Sequence, residues 1–471
     1  MTSELLQQVR VIDPVSGTDR QPLDVLITNG MVSSVQEQIS DYPNDTQIRD
    51  CQGLVLGPGL VDLYSHSGEP GFEDRETLDS LFAAAKAGGF TRLNILPDTN
   101  PPVDNPAVLV RLQQKGLEAR GWGLQQSRGS GGSGGSGGGE CTQQTHSPPA
   151  PPASPAPLLS FWGALTLGVE GEQMTELAEL AATPGLIGFA DGQPLKMALL
   201  RRVLEYLKPL GKQIALYPCN RELVGNGVMR EGSYSLQFGL PGNPAIAQTT
   251  ALAELLELVA AIGTSVHIMR VSTARGVALI AQAKAQGLPI TASTSWMHLL
   301  LDTTAISSYN PALRLEPPLG NPEDLVALRQ GVRTGVIDAI AIDHTPYTYE
   351  EKTVAFAEAP AGAIGLELAL PLLWQHLVET GEFSALELWR TLSTRPIECL
   401  QPSFLPFESL HKGETDALPQ EFTWASELTL FDPQQPWIVE RQTLKSRSHN
   451  TPWLGQTILG RVVKTWVGAR D

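Results

Sequence analysis

The chain opens with short runs in which apolar and polar residues alternate, separated by turn residues. Val9-Arg10-Val11-Ile12 runs into Asp13-Pro14, Asp24-Val25-Leu26-Ile27 runs into Asn29-Gly30, and Met31-Val32-Ser33-Ser34-Val35 follows. Asn-Gly between two such runs is the strongest short-range hairpin signal. The far end reads the same way: Glu427-Leu428-Thr429-Leu430-Phe431 precedes Asp432-Pro433, and a second run spans 458–467 with Gly460 inside it. Neither end holds enough strands to bury a face. Residues 1–57 and 402–471 are therefore expected to join into one small β-sandwich domain around a central domain.

Between them, short apolar stretches alternate with amphipathic ones. Eight candidate strands lie at 59–64, 90–96, 161–167, 185–189, 213–217, 265–271, 288–293 and 337–343, with helical patterns such as 199–207 and 250–262 between them. This alternation predicts βαβ units and a parallel sheet. Eight units make a (β/α)8 barrel over 58–401, with its site at the C-terminal ends of the strands. Residues 125–157 break the pattern, Gly/Ser-rich from Gly129 to Gly139 and Pro-rich from Pro148 to Pro157. Such composition buries no core and predicts a flexible, then semi-stiff loop at the barrel bottom.

A length of 471 residues suits two or three domains, and 42% hydrophobic with 18% charged residues excludes a disordered chain. The net charge of −17 argues against a nucleic-acid partner, which needs a basic surface. No apolar run reaches the ~18–20 residues of a membrane span, and Met1-Thr2-Ser3-Glu4 lacks the layout of a secretion signal. Cys51, Cys141, Cys219 and Cys399 lie far apart, which excludes a disulfide scaffold or a thiolate zinc site and suits a reducing cytoplasm.

The segment Gly57-Pro58-Gly59-Leu60-Val61-Asp62-Leu63-Tyr64-Ser65-His66 resembles the metal-binding first strand of the amidohydrolase superfamily. Glu69-Pro70-Gly71-Phe72-Glu73, Leu96-Pro97-Asp98-Thr99-Asn100-Pro101 and Val271-Ser272-Thr273-Ala274 narrow the resemblance to the dihydroorotase family. Ile342-Asp343-His344-Thr345-Pro346 and Ser446-Arg447-Ser448-His449-Asn450-Thr451-Pro452 agree, so the resemblance covers nearly the whole chain. It implies a TIM-type amidohydrolase barrel that opens cyclic amides. Such an enzyme uses one or two zinc ions to deprotonate a water and polarise the ring carbonyl.

The positions that the resemblance marks as ligands depart from that pattern. Tyr64 stands for the first histidine of the first strand, Tyr217 for the histidine after strand five, and Arg270 for the one after strand six. A guanidinium stays protonated and has no lone pair for a metal. His66, Asp343 and Asp191 remain as residual metal positions, and Asp343 also holds the family's catalytic carboxylate position. One imidazole and two carboxylates hold at most a single weakly bound zinc, or else form polar pairs that satisfy one another. On the substrate side, Gly68 stands for an arginine, Asp98 and Glu316 for asparagines, and Tyr347 for a histidine. No substrate-binding residue is assigned, and the new carboxylates are expected to repel an anion. Arg270 is expected to fill the metal position and pair with Asp343, with Tyr64 and Tyr217 packed beside it. His267 reads as structural, His298 lies near the mouth, and Cys219 has no adjacent base.

Two functions stay open. One is a non-catalytic dihydroorotase homologue, a pseudoenzyme of pyrimidine biosynthesis that partners aspartate carbamoyltransferase in an oligomer. The other is an active metal-dependent cyclic amidohydrolase: a dihydroorotase yielding carbamoyl aspartate, or an allantoinase or hydantoinase relative. Ligand sensing in the vacated pocket is a third possibility.

Overall fold

The computed structural model describes residues 3–119, 156–400 and 426–468. The segment expected to be flexible, 125–157, lies almost wholly outside the described residues, and Cys141 with it.

Eight parallel strands form one sheet in chain order: Leu60–Ser65, Phe90–Ile95, Leu158–Gly163, Leu186–Phe189, Gln213–Leu216, Val266–Ile268, Ile290–Ser295 and Ala339–Ala341. Each overlaps a stretch marked by the hydrophobic pattern, because strands covered on both faces are apolar throughout. The third differs most: it starts three residues earlier and ends at Gly163. Helices such as Met197–Leu207 and Ile246–Ile262 alternate with the strands. Buried Leu204, Val259 and Ile280 pack with Phe90 and Leu93 in one large core.

Side chains help to close the barrel between the first and eighth strands. Asp343 N–H donates to Tyr64 O at 3.2 Å and His66 N–H to His344 O at 2.9 Å. Between them, Ile342 N–H donates to Asp62 Oδ1 and His344 N–H to Ser65 Oγ, each at 3.0 Å. Burial pushes the Asp62 carboxyl up to about 7, against its hydrogen bonds to Ser65 and Ile342. This seam sets His66 beside Asp343.

Strands from both ends of the chain share a second sheet of seven. Leu428–Ile438 pairs antiparallel with Val55–Pro58, Leu430 opposite Leu56, and Val55–Pro58 pairs with Ser3–Asp13. Asn29 and Gly30 both have positive φ, 52° and 78°, as a tight hairpin turn requires. Arg92 of the second barrel strand reaches this sheet through a two-pronged pair with Glu427, at 2.9 and 2.7 Å. Among the described residues, no helix is long and apolar enough to cross a membrane.

Candidate functional site

At the C-terminal mouth of the barrel, the first strand delivers Tyr64 and His66, the sixth Arg270 and the eighth Asp343. Arg270 and Asp343 both leave their strands through left-handed backbone, φ 55° and 52°. This conformation costs an L-residue about 1 kcal/mol or more. The surroundings hold it in place: Gln248 Nε2 donates to Arg270 O at 3.0 Å, and Arg270 N–H donates to Tyr64 Oη at 3.2 Å.

The two turns face the side chains toward each other. Arg270 donates from Nε to Asp343 Oδ2 at 2.8 Å and from Nη2 to Oδ1 at 2.6 Å, while Nη1 donates to Gly192 O at 2.9 Å. Its guanidinium carbon lies 5.9 Å from the centre of the Tyr64 ring and 5.6 Å from that of Tyr217. His66 extends the arrangement. Its Nδ1 is 2.5 Å from Asp98 Oδ2, and its Nε2 is 3.2 Å from Arg270 Nη2 and 3.6 Å from Asp343 Oδ1. Asp98, His66, Asp343 and Arg270 thus alternate in charge. Arg270 is buried, 5% exposed, and Asp343 is mostly buried, 12% exposed, which strengthens their interaction.

Burial opposes ionisation of Asp343, yet Arg270 and His66 hold its carboxyl well below the ordinary range. Burial likewise disfavours a charged His66, but Asp98 and Asp343 outweigh it and raise the imidazole to about 9. A raised folded-state pKa gives stability that is complete below about 6.5, the unfolded value, and lost as pH rises through the folded value. Asp62 and Glu367, both pushed up to about 7 by burial, act in the same direction. His66 therefore contributes up to about 3 kcal/mol that is lost as pH rises from about 6.5 to about 9. Lys352, pushed down to about 7 by burial, gains stability over the same range and opposes it. Differential scanning fluorimetry from about pH 6 to about 9.5 should show the melting temperature of His66→Asn gaining on that of the parent chain as pH rises. An unchanged slope would contradict this account.

The residues present do not fit zinc. A zinc ligand needs a free lone pair about 2.0–2.3 Å from the ion. Both ring nitrogens of His66 and both oxygens of Asp343 are engaged, and a fixed cation stands between them. Asp191, the third expected ligand, is not in this arrangement. Its Oδ1 accepts from Leu165 N at 2.6 Å and Thr166 N at 3.2 Å, and its Oδ2 accepts from Thr166 Oγ1 at 2.6 Å. The backbone donors following strand three claim this carboxylate, and only the carbonyl of Gly192 faces Arg270. Among the described residues, no three His, Cys, Asp or Glu side chains are grouped to hold a metal ion.

A cavity of about 620 Å³ opens above the paired centre. The two acids expected to repel an anion are both occupied within the protein. Asp98 is matched by His66, while Glu316 Oε1 accepts from Tyr217 Oη at 2.6 Å and Oε2 lies 4.0 Å from Arg314 Nη1. Tyr347 packs against Arg75, 4.8 Å from its ring centre, and Arg75 is tied to Glu351. His267 is structural: Nδ1 meets Thr291 Oγ1 and Nε2 meets Ser293 Oγ, each at 2.8 Å, and Ser293 in turn meets Tyr64 Oη at 3.0 Å. The late motif is structural too. Asn450 Nδ2 donates to Thr345 O at 2.9 Å, and Arg447 N–H donates to buried Glu76 at 2.9 Å.

Sequence reasoning missed the Asp98–His66 pair, although a histidine deprived of its metal calls for a counter-charge and Asp98 had just replaced an amide. It also passed over Arg314, two residues before Glu316.

No family model matches the chain. Over 473 residues it is 43% identical to a probable dihydroorotase-like protein of Synechocystis sp., covering 98% of this chain and 99% of that relative. It is 35% identical over 467 residues to a dihydroorotase of Pelobacter propionicus, covering 99% and 98%. Among solved structures, the L-hydantoinase of Arthrobacter aurescens superposes with a TM-score of 0.76 at 18% identity, covering 99% of this chain and 95% of the other. The dihydropyrimidinase of Brevibacillus agri gives 0.72, also at 18% identity, over 99% and 94%. At such identities the structural likeness establishes the fold, a TIM-type amidohydrolase barrel.

Proposed function

The chain belongs to the dihydroorotase family, and from that premise we propose that it is a member without catalysis. In this reading it serves pyrimidine biosynthesis in the cytoplasm, as a structural partner of aspartate carbamoyltransferase within an oligomer. One observation carries the loss of catalysis: the guanidinium of Arg270 grips both oxygens of Asp343 at the centre of the mouth. Opening a cyclic amide requires a water stripped of its proton and a polarised ring carbonyl. Asp343, with both oxygens held by Arg270 and its carboxyl depressed, is a poor proton acceptor. His66, charged between Asp98 and Asp343, has no free base nitrogen. The partner follows from the role that non-catalytic members of this family serve.

The test is to purify the full chain from zinc-supplemented cells, measure its metal content and assay dihydroorotate opening. The chain is then mixed with aspartate carbamoyltransferase from the same organism on a sizing column. Far less than one zinc per chain, no turnover and joint elution are expected. Stoichiometric zinc with turnover would establish the active cyclic amidohydrolase instead, and separate elution would remove the partner.

A further inference from the structure

Residues 440–449 form a basic strap in an otherwise acidic chain: Arg441, Lys445 and Arg447 stand there against the single carboxylate Glu440, while the whole chain carries −17. The strap joins Leu428–Ile438 to Thr457–Trp466, the two strands at one edge of the seven-stranded sheet. Its side chains alternate, with Leu444, Ser446 and Ser448 buried and Lys445 and Arg447 exposed. Buried acids hold its backbone from below. Glu367 Oε1 accepts from Lys445 N at 2.7 Å and from Ser446 N at 3.0 Å, and Glu76 Oε1 accepts from Arg447 N at 2.9 Å. The charged ends are nearly free. Arg447 meets only Asp74 at 3.6 Å, in a pair 50% and 94% exposed, and Arg441 lies over the exposed Tyr349 ring at 5.0 Å. Lys445 Nζ has no hydrogen bond or ion pair among the described residues. A row of cations on a fixed backbone is preorganised for an anionic partner. The far edge of the same sheet carries the opposite charge. Beyond its strand Met31–Gln36, residues 37–45 hold exposed Glu37, Asp41 and Asp45 and no cation. Buried Ile39 anchors this stretch, its N–H on Asp24 Oδ2 at 3.0 Å, and the three acids make no ion pair among the described residues. Apolar surface accompanies both patches: Ile48 is 52% exposed beside the acids, and Ile438 and Leu454 are 45% and 41% exposed beside the strap.

We propose that the strap is a docking surface for the acidic stretch of a second copy of this chain. Charge complementarity commits it to that occupant: Arg441, Lys445 and Arg447 meet Glu37, Asp41 and Asp45, with the exposed apolar side chains between them. In a two-fold pair the contact is made twice, which exposed ion pairs need because each contributes little alone. The inference stands apart from the loss of catalysis and from the carbamoyltransferase partner.

Sedimentation equilibrium of the full-length chain tests it. At about 0.1 M salt the chain should form a concentration-dependent dimer. At about 1 M salt the dissociation constant should rise at least tenfold, as the screening length shrinks from about 10 Å to about 3 Å. Lys445→Glu with Arg447→Glu should weaken association at least about tenfold, and Asp41→Lys with Asp45→Lys should do the same. All four changes together should restore most of the affinity, since the charges are then exchanged rather than lost. These four side chains are exposed, so every variant should melt with the parent chain. Arg201→Glu, at an exposed helix position, should leave association unchanged. A single-chain mass at about 0.1 M salt would overturn the proposal and leave the strap to a different acidic protein. An affinity indifferent to salt, or a fourfold variant no tighter than the double ones, would overturn it too. Turnover of dihydroorotate would overturn the non-catalytic reading and leave this result standing.

Discussion

Arg270→Ala is expected to destabilise the protein by about 3–5 kcal/mol, the usual consequence of removing one partner from a buried ion pair. The substitution strips Asp343 of two donors at 2.8 and 2.6 Å and Gly192 O of a third at 2.9 Å. It also empties the space between the Tyr64 and Tyr217 rings. His66 remains as a counter-charge, but at 3.6 Å from Asp343 Oδ1 it makes no bond of comparable quality. Arg270→Lys should recover only part of the loss, because an ammonium does not span both carboxylate oxygens as the planar fork does. The double variant Arg270→Met with Asp343→Asn should be less destabilised than Arg270→Ala alone, since no unpaired charge is left buried. Arg201→Ala, which breaks an exposed pair with Glu205, is the control and should change stability by under about 1 kcal/mol. Urea unfolding midpoints for the four variants decide the matter. A midpoint for Arg270→Ala equal to that of Arg201→Ala would refute the role given to the pair.

Gly68→Arg should yield little or no folded protein. The resemblance puts an arginine at this position to grip a substrate carboxylate, so regaining turnover would require this arginine as well as the three histidines. The structure closes that route. A Cβ on Gly68 would sit 2.4 Å from Glu76 O and 2.6 Å from both Glu76 N and Phe72 O, all backbone atoms. Those atoms have little freedom to retreat. Phe72 N–H donates to Gly68 O at 2.6 Å, and the Glu76 side chain is anchored by His344 at 3.3 Å and by Arg447 N–H at 2.9 Å. Gly68→Ala alone should cost roughly 2–3 kcal/mol, the upper part of the range for overpacking, and arginine more. Converting Tyr64, Tyr217 and Arg270 to histidine should therefore bring no turnover, with or without Gly68→Arg. Soluble yield and melting temperature test this directly: Gly68→Arg recovered in solution with unchanged melting would show that the loop over 66–76 yields where these contacts say it is fixed.

Several features of this protein follow from the residues alone. The eight barrel strands are legible because a parallel strand covered on both faces must be apolar throughout, a property of local sequence. Asn29-Gly30 announces its hairpin because few other residues accept two successive positive φ angles at little cost. Arg270 rules itself out as a ligand by the chemistry of a guanidinium, wherever the chain places it. Arg270 with Asp343 is expected from the positions that the resemblance marks, and the structure shows that pair; the other pairings in the mouth are of another kind. Asp191 lies two residues past the end of strand four, yet its carboxylate serves Leu165 and Thr166, because the loop after strand three leaves backbone donors beside it. Asp98 looked like a repulsive charge until the barrel curvature brought it to His66, 32 positions away. Gly68 looked like a lost arginine until the backbone of Glu76 and Phe72 was found against it. In each case the deciding partner comes from another strand or loop, and its direction depends on how the barrel closes. Hydrophobic period fixes which residues lie at a strand's end, but only the closed tertiary structure determines which of them meet there.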